Sequence, residues 1–203
     1  MQRAGVSIVA ALSGVPLVDP LLQLLFNPLS AEIDRRRSVA LRSAEDLAGC
    51  SREELADRIG SNPLGVDRLI RVLYSAGMNR HDSILKMMGR TLVAGLAASE
   101  VGDSELLDRE EALLITLEKV EPRHVRMLVV IEGSPEIANG ALSKASKGWD
   151  EFPDLTASEL LAFGLVDDPY GRWGDGPDAS RFYSVSEVGA LLLRAASEVD
   201  FRN

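Results

Sequence analysis

Histidine and cysteine, two residue types that often carry nucleophilic or acid–base catalysis, are scarce in this chain of 203 residues. It has one cysteine, Cys50, and two histidines, His81 and His124. The nucleophile motif G-x-S-x-G, the phosphate-binding motif G-x-x-x-x-G-K, the dinucleotide motif G-x-G-x-x-G and the zinc motif H-E-x-x-H are all absent from the sequence. These absences predict a protein that is not an enzyme and that carries no cofactor.

Cys50, His81 and His124 can each be explained without catalysis. Cys50 lies near the predicted start of a helix, whose N-terminus could lower the pKa of its thiol, but a buried or incidental thiol is favoured. His81 and Asp82 could form an acid–base pair, yet Asp82 is better explained as a helix cap next to a surface histidine. His124 falls in the first turn of an amphipathic helix, and we interpret it as a partly buried contact.

Metal ligands are equally sparse. Two distant histidines and one cysteine leave little with which to build a zinc site. Asp167, Asp168, Asp175 and Asp178 could bind calcium, but their spacing differs from that of an EF-hand loop, so a solvated hairpin is favoured and we predict no metal site. A single cysteine also excludes an intramolecular disulfide, which favours a cytoplasmic protein.

The charges are unevenly distributed. The net charge of −9 disfavours non-specific attraction to nucleic acid or anionic lipid, but residues 35–90 carry 11 basic and 7 acidic side chains. The run at 35–37 could bind phosphate, although nearby carboxylates favour a solvated or salt-bridged helix face. If the protein binds nucleic acid, the candidate contacts are Arg35, Arg36, Arg37, Arg68, Arg71, Arg172 and Arg181.

Residues 4–29 form the most apolar stretch, and it is interrupted by Pro16, Asp19, Pro20 and Pro28. A membrane span needs roughly 20 uninterrupted apolar residues, and no convincing signal-peptide cleavage site follows. We favour a segment that is buried in the core or in an oligomer interface over association with a membrane surface or a processed signal. Residues 1–29 are therefore predicted to bind a protein partner or a second copy, which makes a homo-oligomer the expectation.

The elements that must position these residues are mainly helical. A long helix is predicted from Asp19 to about Ala48, and later helices are predicted to begin at Ser51, Asn62, Asp82 and Asp103. The helix after Asn62 is predicted to bury Val66, Leu69, Ile70 and Leu73. The acidic run 108–111 is predicted to face water. Together these elements indicate an N-terminal helical bundle over residues 1–120.

Residues 121–203 are predicted to form a second unit. Helices are expected at 122–132, at 135–147 and from the capping-box pattern Thr156–Glu159 to Gly164. A strand should begin at 165–166, and Phe182–Val185 should return beside it, joined by a tip rich in Asp, Gly and Pro. A last helix then follows, capped by Ser184 or Ser186.

This second unit resembles the winged-helix domains of MarR-type bacterial regulators. The matching run comprises Leu161, Gly164, Leu165, Val166, Tyr183, Val185, Ser186 and Gly189. The overall layout is also similar to bacterial families that join an apolar N-terminal segment and a helical middle to a winged-helix-like end. The MarR resemblance implies a DNA-binding module in which the third helix, 156–163, is the recognition helix.

The sign of the charge argues against DNA for this chain. Residues 121–203 contain 8 basic and 14 acidic side chains, and the candidate recognition helix has no basic residue. Such a surface would repel a phosphate backbone. We therefore predict a non-enzymatic interaction or regulatory protein whose acidic winged-helix-like module makes protein contacts. A winged-helix DNA-binding transcriptional regulator is the alternative.

Overall fold

In a computed structural model, the chain is mainly α-helical with one small antiparallel sheet, which confirms the predicted fold class at this level. The structure describes residues 18–134, 137–168, 182–197 and 199, with side chains from residue 29 onward except at residue 139. Predictions that concern residues 1–17, the hairpin tip at 169–181 or the side chains of 18–28 lie outside the described residues. None of the described helices combines the length and apolar content that a membrane crossing requires.

The N-terminal part contains α1 (Val18–Ala48), α2 (Arg52–Gly60), α3 (Pro63–Met78), α4 (Asp82–Val101) and α5 (Ser104–Leu117). The caps predicted at Ser51, Asn62 and Asp103 are confirmed, because each side chain accepts an N–H bond from the first turn of its helix. The cap predicted at Asp82 is wrong. His81 precedes the first helical residue, and the Asp82 carboxylate accepts a bond from Arg35 instead.

Helix α4 lies at the centre of this part and packs against α1, α3 and α5. Its inner face buries Ile84, Leu85, Met88, Leu92 and Leu96. Small residues permit a close crossing with α1: Ala40 and Ala44 of α1 are fully buried where they meet Gly89 of α4. Shape complementarity as well as apolar area therefore sets this packing.

The predicted inner face of α3 is wrong at two of its four residues. Leu69 and Leu73 are half-buried, but Val66 and Ile70 are exposed. The residues that the helix buries are Gly65, Arg68, Val72, Ser75, Ala76 and Gly77. The small residues at 65, 76 and 77 let α1 and α4 approach closely, and larger apolar side chains would not fit there. Glu110, predicted to face water, is half-buried, and this burial raises the pKa of its carboxyl.

The C-terminal part contains α6 (Pro122–Glu132), β1 (Ile137–Ala138), α7 (Asn139–Ala145), α8 (Pro153–Ala162), β2 (Val166–Asp167), β3 (Phe182–Val185) and α9 (Glu187–Ser197). The strands form an antiparallel sheet in the order β1-β3-β2, with Ile137 opposite Tyr183 and Val166 opposite Val185. The predicted cap at Ser186 is confirmed: its hydroxyl accepts the Gly189 N–H and donates to the Gly164 carbonyl.

Two predicted helix starts in this part are wrong. Residues 137–138 form a strand because they pair with β3, so the helix predicted at 135–147 begins only at Asn139. Helix α8 begins at Pro153, where proline suits the first turn, and Thr156 is buried inside the helix. The capping box predicted at Thr156–Glu159 is therefore not formed.

One contiguous set of buried side chains runs through both parts of the chain. Helix α9, the last element, packs against α5 as well as α6. The division at residue 120 remains a prediction, and the described residues on both sides of it share this core.

Candidate functional site

The arginines at 36 and 37 reach from α1 to α3. Arg36 donates to the Gly77 carbonyl oxygen over 3.2 Å, and Arg37 donates to the Leu73 carbonyl oxygen over 3.1 Å. The Gly77 carbonyl belongs to the last turn of α3, where the helix supplies no N–H partner of its own. Cations at a helix C-terminus also interact favourably with its dipole. These two side chains therefore hold the end of α3 against α1.

Arg35 is committed to carboxylates on two helices. Its guanidinium bonds to Glu32 over 2.9 Å and to Asp82 at the start of α4 over 3.0 Å. Glu32 also accepts a bond from Arg36 over 2.8 Å. The hydrogen bonds from these two arginines lower the pKa of Glu32 to about 2.

Arg68 and Arg71 extend from α3 toward α5. Arg68 is only 8 % exposed, its guanidinium lies directly on Gly95 of α4, and its nearest carboxylate oxygen is that of Glu111 at 3.7 Å. Burial lowers the pKa of Arg68. Arg71 pairs with Glu111 and, over 2.9 Å, with Glu118, and the bond from Arg71 lowers the pKa of Glu118.

The candidate nucleic-acid contacts thus divide into two groups. Five of them have a carboxylate or carbonyl partner within the chain, namely Arg35, Arg36, Arg37, Arg68 and Arg71. Arg172 and Arg181 lie outside the described residues. Arg35, Arg36 and Arg37 connect α1 to α3 and α4, whereas Arg68 and Arg71 connect α3 to α5.

Glu159 connects α8 to the start of α6. Its Oε2 lies 2.9 Å from Nε2 of His124 and 3.0 Å from Nη2 of Arg123. Nδ1 of His124 accepts the Glu121 N–H over 2.9 Å, so Nε2 carries the proton that is shared with Glu159. His124 is 2 % exposed and meets the edge of Phe163. Because the ring is enclosed and both of its nitrogens are hydrogen-bonded, this cluster holds α8 against the start of α6.

A cleft of about 640 Å³ lies beside the ends of α3 and α5. Its lining includes Ser75, His81 and Glu118. The Ser75 hydroxyl donates to Glu118 over 2.9 Å, and Glu118 is already paired with Arg71. A carboxylate whose pKa is lowered in this way is a poor general base. Glu118 is therefore poorly suited to activate the Ser75 hydroxyl.

The outward face of α8 is apolar and acidic. Phe152 and Leu155 are 61 % and 51 % exposed, and Asp154 and Ser158 are exposed beside them. From residue 148 to residue 171 the sequence contains no lysine or arginine. Sequence reasoning identified the missing basic charge. Glu159 is half-buried, and its carboxylate bonds to Arg123 and His124 at the start of α6.

Helix α3 carries a second exposed apolar surface, and two of its residues, Val66 and Ile70, were predicted to lie in the core. The exposed fractions of Val66, Ile70, Tyr74 and Met78 are 37 %, 62 %, 66 % and 69 %. Their spacing of four residues places them along one ridge of the helix. We call these four residues the α3 ridge.

No group of three or more His, Cys, Asp or Glu side chains in the described part of the chain is arranged to hold a metal ion. Cys50 is a free thiol that is partly buried against the core. Comparisons with protein families, with curated proteins and with solved structures gave no match. The function must therefore be inferred from the surfaces described above.

Proposed function

We propose that the chain is a non-enzymatic interaction or regulatory protein, and that its C-terminal part is a winged-helix-like module which binds another protein. The order α6-β1-α7-α8-β2-β3 and the sheet order β1-β3-β2 support this reading of the module. In a winged-helix arrangement α8 occupies the position of the recognition helix. A partner, whether DNA or protein, would therefore contact the outward face of α8. The composition of this face favours one class of partner over the other.

The observation that carries the proposal is the composition of this outward face. A helix that reads DNA needs Arg, Lys, Asn or Gln toward base edges and cations toward phosphates. The outward face here consists of Leu155, Asp154 and Ser158 of α8 and of Phe152, the residue just before the helix. The half-buried carboxylate of α8, Glu159, is bound to Arg123 and His124. The face can bury apolar area and attract cations, and both properties suit a polypeptide.

The chemistry of the partner follows from the same residues. Phe152 and Leu155 would form the dry centre of an interface, and the exposed acids Glu151 and Asp154 would form its rim. A segment with apolar side chains flanked by lysine or arginine is complementary to this pattern. We expect such a basic, amphipathic segment of another protein to dock on α8.

Site-specific photocrosslinking can separate the two functions. A photoreactive amino acid would replace Ser158 on α8 in the full chain, expressed in the native host, with the exposed Glu132 of α6 as the control position. We expect a nuclease-resistant protein adduct at position 158 that is absent at position 132. The charge reversal Asp154→Lys should weaken this adduct.

Two outcomes would overturn the proposal. A nuclease-sensitive adduct to nucleic acid at position 158 would identify a DNA-binding regulator. Equal, weak labelling at positions 158 and 132 would show that α8 has no partner.

A further inference from the structure

A cleft of about 420 Å³ lies between α3 and α5, and Arg68 is one of the residues that line it. We propose that this α3–α5 cleft binds a free α-amino acid with an apolar side chain. Arg68 binds the carboxylate of the ligand, and Asp67 and Asp108 bind its ammonium group. Leu64 and Leu107 contact the apolar side chain. The inference does not depend on the proposed function, because this cleft and the outward face of α8 are separate surfaces.

Arg68 is the residue that points to a ligand. Its side chain is only 8 % exposed, yet no described residue accepts a hydrogen bond from its Nε or Nη2. The carboxylate oxygen of Glu111 stays 3.7 Å from Nη2, and Glu111 is bonded to Arg71 instead. Buried donors are nearly always paired, so this edge of the guanidinium calls for an acceptor that the described residues do not supply. Nε and Nη2 together match the two oxygens of a carboxylate.

The packing around Arg68 leaves room for its charge. Gly95 of α4 lies against the guanidinium, and a Cβ atom at position 95 would overlap it. Because Nε and Nη2 are covered, the guanidinium shifts into the cleft when it takes a ligand, and this shift breaks no hydrogen bond at either atom. A buried charge without partners costs stability, and such departures from good packing are expected at functional sites.

The acidic side chains of the α3–α5 cleft require that the ligand also carries a positive charge. Asp67 and Asp108 line the cleft and are exposed, and neither has an ion-pair partner among the described side chains. They would repel a simple anion, whereas a simple cation would leave the donors of Arg68 unmatched. A molecule that carries both a carboxylate and an ammonium group is complementary to all three residues.

The size and the apolar part of the cleft suit an amino acid. A volume of about 420 Å³ lies near the lower end of the range of about 300–1,000 Å³ for small-molecule pockets. Leu64 of α3 is 59 % exposed, and Leu107 of α5 is half-buried. Each helix thus contributes one leucine, and an aliphatic or aromatic ligand side chain would bury part of both.

Isothermal titration calorimetry of the full chain tests this ligand class. The probes are L-leucine, L-methionine and L-phenylalanine, each with one analogue that lacks the amino group and one that lacks the carboxylate. For leucine these analogues are 4-methylpentanoate and 3-methylbutylamine. We expect at least one of the amino acids to bind with a Kd of about 0.1–1 mM. Its two analogues should bind at least about tenfold more weakly, because each leaves one charge of the cleft unmatched.

Arg68→Met removes the partner of the carboxylate and should weaken binding of the amino acid by at least about tenfold. Circular dichroism checks that the variant keeps its helices. Arg58→Met is the matched control, because Arg58 lies on α2, pairs with Glu100 and does not line the cleft. This control should leave the Kd unchanged.

Two further sets of variants test the remaining contacts. Asp67→Asn/Asp108→Asn should weaken the amino acid several-fold but should bind the analogue without an amino group at least as well as the wild type does. A general loss of structure would not produce this pattern. Leu64→Ser should weaken the amino acid several-fold. Ile70→Ser on the α3 ridge is its matched control, because Ile70 is similarly exposed, at 62 %, and lies outside the cleft.

Three outcomes would overturn the proposal. The first is that none of the three amino acids binds the wild-type chain at concentrations up to about 10 mM. The second is that Arg68→Met binds as tightly as the wild type, since the guanidinium would then not hold the carboxylate. The third is that the analogue without an amino group binds as tightly as the amino acid, which would leave Asp67 and Asp108 without a role.

Discussion

Gly89 of α4 lies directly against the carbonyl group of Ala40 in α1, and a Cβ atom at position 89 would overlap the Ala40 oxygen. Because this obstacle is backbone, it cannot be removed by rotating a side chain. The contact fixes the distance between the two helices and makes glycine a requirement at position 89.

Gly89→Ala is therefore expected to lower the free energy of unfolding by about 2 kcal/mol through overpacking, although alanine raises helix propensity by about 1 kcal/mol. Urea unfolding followed by circular dichroism measures the change. Gly60→Ala is the control, since a Cβ there would meet no atom within 4 Å. Equal stability of the two variants would contradict the close packing of α1 on α4.

The rules for helix caps predicted the described helix starts best where the capping side chain bonds to the first turn of its own helix. Ser51, Asn62 and Asp103 cap the helices that they were predicted to start. The same rules failed at Thr156, because Pro153 upstream already begins α8. They also missed β1, whose two residues form a strand only by pairing with Tyr183 and Phe182, more than 40 positions away in the sequence.

The surfaces were harder to predict than the elements. Apolar periodicity placed Val66 and Ile70 in the core, but α1 and α4 need small residues at their contacts with α3 and therefore exclude them. The contact of Glu159 with Arg123 and His124 depends on how α8 docks on α6. The spacing of residues in the sequence does not predict how these two helices dock. The acidic composition of α8 was predictable because the absence of basic residues does not depend on packing.

Arg68 is expected to contribute little to stability despite its burial. Its Nε and Nη2 atoms have no hydrogen-bond partner, and its nearest carboxylate oxygen is at 3.7 Å. Replacing such a charge with an apolar side chain of similar length is often neutral or stabilising. We expect Arg68→Met to leave the free energy of unfolding unchanged or to raise it by about 1 kcal/mol.

Arg71→Met is the matched comparison, because Arg71 is bonded to Glu111 and Glu118. This variant should be less stable than the wild type by up to about 1 kcal/mol, a small effect because the pairs are partly exposed. Thermal unfolding of both variants at pH 7 provides the measurement. A larger loss for Arg68→Met than for Arg71→Met would show that Arg68 stabilises the junction of α3 with α4.

Glu159 is expected to matter for the docking of α8 rather than for any chemistry. Glu159→Ala leaves the buried Nε2–H of His124 without an acceptor and should lower the free energy of unfolding by about 2 kcal/mol. Glu159→Gln keeps an acceptor for His124 and should cost less. Asp154→Ala, on the exposed face of α8, is the control and should change stability by less than about 0.5 kcal/mol. Equal losses for Glu159→Ala and Glu159→Gln would assign the effect to charge alone.

The carboxylates of Glu32 and Glu110 should change the pH dependence of the free energy of unfolding in opposite directions. Each is therefore a control for the other. The bonds from Arg35 and Arg36 lower the pKa of Glu32 from 4.5 to about 2 in the folded state. Its contribution to stability is therefore present above about pH 4.5 and is lost as the pH falls toward 2. Glu32→Gln should make the loss of stability in this window shallower, as measured by urea midpoints at several pH values.

Burial raises the pKa of Glu110, so the folded state binds its proton more tightly than the unfolded chain does. Ionised Glu110 thus destabilises the fold at pH 7, and its unfavourable contribution disappears as the pH falls through the folded pKa toward the unfolded value of 4.5. Glu110→Gln should be more stable than the wild type at pH 7, with an advantage that shrinks in acid. Parallel stability curves for the wild type and both variants would contradict the Arg35–Glu32–Arg36 contacts and the burial of Glu110 alike.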